Sequence, residues 1–207
     1  MSSGMESLPF SQACENNKSF ILDVLRRHLQ GVDRVLEVGS GTGQHAEFFA
    51  SALPHLVWQT TDLQENVPAL NLRLTAAALS NLPPASTLDV NWQDWGCSDL
   101  PAIFSANSLH IMAWESVELF FRGAARHLDR GGLLMVYGPF KYGGSYTSQS
   151  NANFDLWLKS RDPASGIRDF EAVQETAEKG GMTILEDNGM PANNQLLVWR
   201  KAVAEPE

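Results

Sequence analysis

Cysteine is scarce in this sequence: there are two, Cys14 and Cys97, among 207 residues. That excludes the disulfide density of a small secreted scaffold, and two lone thiols lack the paired spacing of a zinc site. Both read as small buried hydrophobes. Positive charge is short as well, with 15 Lys and Arg against 24 Asp and Glu, a formal net charge of −9. A nucleic-acid backbone needs a basic surface, and no Lys/Arg run supplies one, so no nucleic-acid partner is expected. Long apolar runs are missing too. No stretch is long enough to span a bilayer, and the opening MSSGMESLPFSQ has neither the basic start nor the apolar core of a signal peptide. No membrane partner is expected, and a reducing cytoplasm is the expected compartment.

What is present suits one globular domain over residues 1–207, with 43% apolar and 19% charged residues. The chain alternates strand and helix. Phe20, Ile21, Val24, Leu25 and Leu29 are spaced for a helix over Asn17–Leu29. Strands are expected at Arg34–Val38, Leu56–Thr61, Ser86–Val90, Ala102–Leu109 and Leu133–Tyr137. Helices are expected at His45–Leu53, Pro68–Leu79 and Trp114–Leu128, with a turn at Asp129–Gly132. The Gly/Ser/Tyr-rich stretch Gly138–Ser150 reads as a loop, and helices follow from near Asn153 and over Phe170–Lys179. Met182–Glu186 and Leu196–Arg200 finish as strands around the turn-rich PANN. Strand–helix alternation predicts an α/β fold, a mostly parallel sheet with helices on both faces. The last two strands lack a crossover helix, so an antiparallel pair is expected at one edge.

The stretch Val35–His45, VLEVGSGTGQH, is the most informative. A glycine loop after the first strand of such a sheet sits at the ligand crevice. A phosphate-cradling Walker loop needs Gly-Lys-Ser/Thr, but Gly43 is followed by Gln44 and His45. A dinucleotide fingerprint wants Gly or Ala where Gln44 stands, which weakens that reading. The third reading is S-adenosylmethionine, whose ribose, adenine and charged amino-acid tail need no phosphate site. Gly39, Gly41 and Gly43 would let the backbone pass beneath sugar and tail. Glu37 places a carboxylate near a sulfonium and an ammonium, where attraction favours it. Asp62 ends the second strand, where it can accept from both ribose hydroxyls, and Leu63 beside it is counted in the same site. Asp89 can accept from the adenine amino group while Val90 packs on the ring. Each of these residues has a plainer alternative taken alone: a structural turn for the glycines, a helix cap for Asp62, a strand end for Asp89. Together, at matching strand ends, they favour the cofactor.

With Asp62 and Asp89, this loop resembles the class I (Rossmann-like) S-adenosylmethionine-dependent methyltransferases. That resemblance implies a seven-stranded sheet with the last strand antiparallel. More narrowly, EVGSGTGQHA, LDVNW, GPFKYGG, QSNANFD, GIRD and MPANNQLLVWRK are similar to the methyltransferase-like protein 26 family. Two departures stand out: Asn16-Asn17-Lys18 where that family resembles Arg-Asn-Lys, and Asn107-Ser108 where it tends to Asn-Met.

Methyl transfer is an in-line displacement, so alignment and desolvation can carry much of the rate, and a base is needed only if the acceptor must lose a proton. In a class I fold the acceptor sits over the ends of strands four and five. His110, just past strand four and titrating near neutral pH, is the candidate base, with local packing as the alternative. Asn107 is a candidate for the cofactor's ammonium, or it satisfies backbone. A lid is expected from the N-terminal helical segment (1–30) and a substrate-side insertion (138–168), with Tyr142, Tyr146, Asn151, Asn153 and Asp155 orienting a small acceptor and Gly143-Gly144 as a hinge. Trp92 and Trp114 are expected near the pocket. His28, His55 and His127 have no metal spacing and are assigned to the surface or to helix ends; no metal is expected. The leading expectation is methyl transfer to a small molecule. An S-adenosylmethionine-binding interaction or regulatory module without transfer activity is the alternative, and a nicotinamide-dependent oxidoreductase, disfavoured by Gln44 and Glu37, comes third.

Overall fold

The computed structural model describes residues 8–203. A central sheet of seven strands has the order β3-β2-β1-β4-β5-β10-β9. Its strands are β1 (Arg34–Val38), β2 (Val57–Asp62), β3 (Ser86–Thr87), β4 (Leu100–Ala106), β5 (Leu128–Gly138), β9 (Met182–Met190) and β10 (Asn194–Lys201). Strands β1 to β5 pair in parallel, and β10 runs antiparallel to both β5 and β9. The fold is that of the class I methyltransferases, with the last strand of the chain as the antiparallel one.

Strand alternation divides the core between the two faces. Val35, Phe104, Met135 and Val198 join one apolar cluster, with Ile21 and Leu25 of α1 (Gln12–His28), Phe49 of α2 (Gln44–Ala52) and Leu70 of α3 (Val67–Ala77). Their chain neighbours Leu36, Ile103, Leu134 and Trp199 join the other, with Phe120 of α4 (Trp114–His127) and Val173 of α6 (Phe170–Lys179). A one-residue slip would exchange the faces, so the register is fixed from both sides.

Several boundaries differ from expectation, each for a local reason. Helix α1 starts at Gln12 because Ser11 caps it, accepting from the amide of Cys14. Strand β3 has two residues rather than five: the Leu88 amide makes the last ladder bond, to the carbonyl of Asp62 where β2 ends, and the chain from Leu88 to Val90 goes on to wall a cavity. The expected loop at 138–150 holds β6 (Phe140–Tyr142) and β7 (Ser145–Tyr146), joined at Gly143-Gly144, both at positive φ as a tight hairpin turn requires. Strand β8 (Arg168–Asp169) pairs with β6 in the same small sheet. Helix α5 spans Gln149–Arg161, capped by Ser148. Strand β9 is longer than read, with every second residue turned outward. Among the described residues no helix is long and apolar enough to cross a membrane.

Candidate functional site

The strand order reverses between β1 and β4, and the loops leaving their carboxyl ends part there, the usual place for a ligand in an open α/β sheet. A cavity of about 580 Å³ opens at that point, within the range of small-molecule sites. It is lined by Glu37, Gly39 and Gly41 from β1 and its loop, Asp62 and Leu63 after β2, Asp89 and Val90 after β3, and Asn107 after β4. Eight of the residues singled out in the sequence therefore meet in one place. Gly43 and His110 do not line it.

The three glycines have three different jobs. Gly41, at φ +54°, faces open space, so the backbone here borders the cavity. Gly39, at φ +75°, lies against Ser108, whose hydroxyl oxygen would sit 2.6 Å from an added Cβ. Gly43, also at φ +75°, turns inward, and a Cβ there would come within 2.7 Å of Leu70. Its role is the packing of α2 on α3, not passage beneath a ligand. The loop amides are turned into the protein as well: Gly39 and Ser40 donate to the Thr61 carbonyl, Gly43 to the Ser40 carbonyl, and Gly41 to Asp62. A phosphate cradle needs such amides free and aimed at its ligand. Four of this loop's amides are committed within the protein.

Three carboxylates border the cavity, and no Lys or Arg does among the described residues. Glu37 is buried and accepts from the Ser40 hydroxyl at 3.0 Å and the Trp58 indole at 2.9 Å. Burial pushes its carboxyl up to about 7, with nearby Asp62 adding to the rise against those two donors. Asp62 accepts from Gly41 N at 2.7 Å, Leu63 N at 2.8 Å and Asn66 Nδ2 at 2.7 Å. A carboxylate has about four acceptor sites. Three are taken, so Asp62 has room for one further donor rather than the two ribose hydroxyls expected of it. Asp89 accepts from the amide and side chain of Asn91. Asn107 adopts φ +58°, a left-handed conformation that Asn tolerates, and donates its amide to the Tyr137 carbonyl.

Other cavity residues carried little sequence signal. Ser11 and Cys14 of the N-terminal segment, His45, Asn66, Ser108 and Ser116 all line it. Cys14 is half-buried at the cavity wall rather than in the core, and burial raises its thiol pKa. His45 stacks on Phe49 and contacts Asn17 at 2.6 Å, and burial lowers its pKa to about 4, so its imidazole is neutral at neutral pH.

His110 lies on the other side of the loop after β4. Its ring packs edge-on to Phe154, with Nδ1 turned toward Gly138 at the end of β5, and makes no hydrogen bond among the described residues. Burial, with Arg168 adding to it, lowers its pKa to about 4, not the near-neutral value expected. The polar residues expected to orient an acceptor are engaged elsewhere: Tyr142 donates to Asp187, Tyr146 to Asp155, and Asn151 to Thr147 and the Asn193 carbonyl. Buried Asp155 also takes Lys159 and the Ile167 amide. Asn153 is exposed and is not part of the cavity lining. Trp92 and Trp114 do not line it either, although Asn91, next to Trp92, and Ser116, two residues after Trp114, do. His127 stands at the end of α4, as expected of it, and is buried there: it stacks on Trp95 and contacts the Cys97 carbonyl at 2.6 Å.

Solved structures share this fold. An O-methyltransferase family 2 protein from Planctomyces limnophilus DSM 3776, in complex with apigenin, superposes with a TM-score of 0.80 at 17% identity over 92% of this chain and 58% of its own. The apo form of SibL, an S-adenosylmethionine-dependent methyltransferase, superposes with a TM-score of 0.77 at 19% identity over 92% of this chain and 56% of its own. At these identities the likeness is one of fold. Over 97 residues the sequence is 32% identical to the trans-resveratrol di-O-methyltransferase of Vitis vinifera, covering 42% of this chain and 27% of that protein. The chain thus spans little more than half the length of these solved structures and about a quarter of that enzyme. One family profile matches nearly the whole described chain, residues 8–201, and by that match the protein belongs to the family described as protein of unknown function (DUF938).

Proposed function

We propose that the protein transfers the methyl group of S-adenosylmethionine to a small-molecule acceptor. The charge of the cavity carries the reading. Glu37, Asp62 and Asp89 stand at the ends of three neighbouring strands, no Lys or Arg lines the described cavity, and four of the loop amides are engaged within the protein. Such a site favours a sulfonium and an ammonium and opposes a pyrophosphate. When bound, S-adenosylmethionine supplies a methyl carbon on a good leaving group. Glu37 would face the cationic end, Asp62 one ribose hydroxyl and Asp89 the adenine amino group. Leu63 and Val90 would flank the adenosine, and Asn107 would reach the tail. The acceptor would lie over the ends of β4 and β5, where His110 faces Gly138.

The finer resemblance to the methyltransferase-like protein 26 family belongs to this proposal and rests on the motifs quoted from the sequence. So do a single domain over 1–207, a lid made by the N-terminal segment and the 138–168 insertion, and a cytoplasmic location. Titration with S-adenosylmethionine, S-adenosylhomocysteine and NAD tests the cofactor, and saturable binding of the first two alone is expected. Labelled methyl transfer into a metabolite extract tests the reaction. Binding without transfer would favour an interaction module, and binding of NAD instead would overturn the cofactor.

A further inference from the structure

Gln44, the residue that spoils a dinucleotide fingerprint, reaches across to the N-terminal segment. Its Oε1 accepts from the Ser11 amide at 2.5 Å, while its Nε2 donates to the Ser11 carbonyl at 3.4 Å and to Glu15 at 2.8 Å. Arg73 of α3 makes a second tie. Its guanidinium donates to the Thr42 carbonyl of the glycine loop at 2.7 Å, to Glu47 at 2.9 Å and to the Pro9 carbonyl at 2.6 Å. Two side chains therefore fasten the segment Leu8–Ser11 to the loop after β1. Apolar packing contributes little there: Pro9 is exposed, Phe10 is 65% exposed, and none of Leu8 to Ser11 belongs to either core cluster. Yet this segment completes the cavity, because Ser11 and Cys14 line it beside Thr42 and near Glu37.

We propose that Gln44 and Arg73 are positioning residues that latch the Leu8–Cys14 strap over the cationic end of the bound cofactor, and that release of this latch admits and frees it. The inference rests on the cofactor reading above and adds how the site opens. A strap held by polar ties alone can leave without disturbing the core, since its bonds are replaced by water. Anchored at its C-terminal end by α1, whose Ile21 and Leu25 are fully buried, it opens from the Pro9 end.

The test compares the wild type with Gln44→Ala and Arg73→Met, the latter keeping the stem that lies beside Gly43. Stopped-flow displacement of S-adenosylhomocysteine should show dissociation at least about tenfold faster in each variant. Backbone hydrogen exchange should accelerate in residues 8–15 and not in β4 or β5, with the melting temperature little changed. Wild-type dissociation and exchange in both variants would overturn the latch while leaving the cofactor reading intact. A wild-type protein that binds neither cofactor form would overturn both. Should Gln44→Ala fail to fold, Arg73→Met decides alone.

Discussion

The Gly41 amide donates to Asp62 Oδ2 across 2.7 Å, so the loop after β1 and the end of β2 are held together at the floor of the cavity. The other oxygen of Asp62 holds Leu63 and Asn66 at the start of the connection to α3. One carboxylate thus shapes the loop as well as offering a site to a ligand. Asp62→Ala should weaken S-adenosylmethionine binding by at least about tenfold, since a hydrogen bond to a charged group contributes roughly 1.5–3 kcal/mol. It should also lower the melting temperature, because three donors lose their acceptor. Calorimetric titration and thermal melts read the two effects separately, and an unchanged dissociation constant would remove Asp62 from the site.

The glycines should separate by what lies beside them. Gly41→Val places a side chain in the open space of the cavity and should abolish cofactor binding, while its backbone, at φ +54°, adds a left-handed strain at least comparable to that at Gly43. Gly43→Ala should act on stability instead, because its Cβ meets Leu70 and its backbone is left-handed; the conformation alone costs roughly 1–2 kcal/mol. Denaturant melts and binding titrations on the same two variants check the division. Loss of folding in Gly41→Val with normal stability in Gly43→Ala would reverse the assignment.

This division shows what was legible in the sequence and what was not. Strand β1 matched its reading because Val35 and Leu36 each face an apolar core and a glycine loop ends the run. The acids at the ends of β1 and β2 and after β3 met in one cavity because parallel strands present their carboxyl ends together. The inward turn of Gly43 depends on Leu70, far along the chain, and spacing alone cannot show it. Gln44 read only as a misfit, since its partner Ser11 lies 33 positions away. His127 ends α4 as read, but its burial under Trp95, 32 positions away, was not visible in local spacing. Strand β3 is short because its only partner, β2, ends at Asp62, a limit set by another segment that local pattern does not encode.

Glu37 should make both stability and binding depend on pH. Its folded pKa of about 7 lies above the ordinary 4.5, so between those values the folded protein keeps a proton that the unfolded chain has lost. Its contribution to stability therefore falls as pH rises through that window, by about 3 kcal/mol at 1.36 kcal/mol per unit. His45 acts oppositely, since its folded value of about 4 adds stability as pH rises from there toward 6.5. Glu37→Gln keeps an oxygen for Ser40 and Trp58 and cannot ionise. Its stability relative to wild type should grow between pH 5 and pH 8 in urea melts. Binding of cationic S-adenosylmethionine by the wild type should tighten as Glu37 ionises near pH 7, a trend absent in the variant. A constant stability difference across that range would show that Glu37 does not titrate there.

The last prediction concerns the proton of the acceptor. His110 does not border the cofactor cavity, but its ring is turned toward Gly138 at the end of β5, where the acceptor is proposed to lie. Burial and Arg168 hold its pKa at about 4, so the imidazole is neutral, with an open lone pair, across the physiological range. That makes it a weak base but a constant one. If it takes the acceptor's proton, the rate should not inflect near 6.5, and its dependence on His110 should be flat from pH 5 to pH 8. His110→Ala should leave the dissociation constant for S-adenosylmethionine nearly unchanged and slow turnover by about 10²–10⁴, the usual share of a positioned base. Asn107→Ala is the contrast, because losing a cofactor contact should weaken binding. Normal turnover by His110→Ala with its acceptor would leave the imidazole as a packing partner of Phe154, and alignment alone would then carry the transfer.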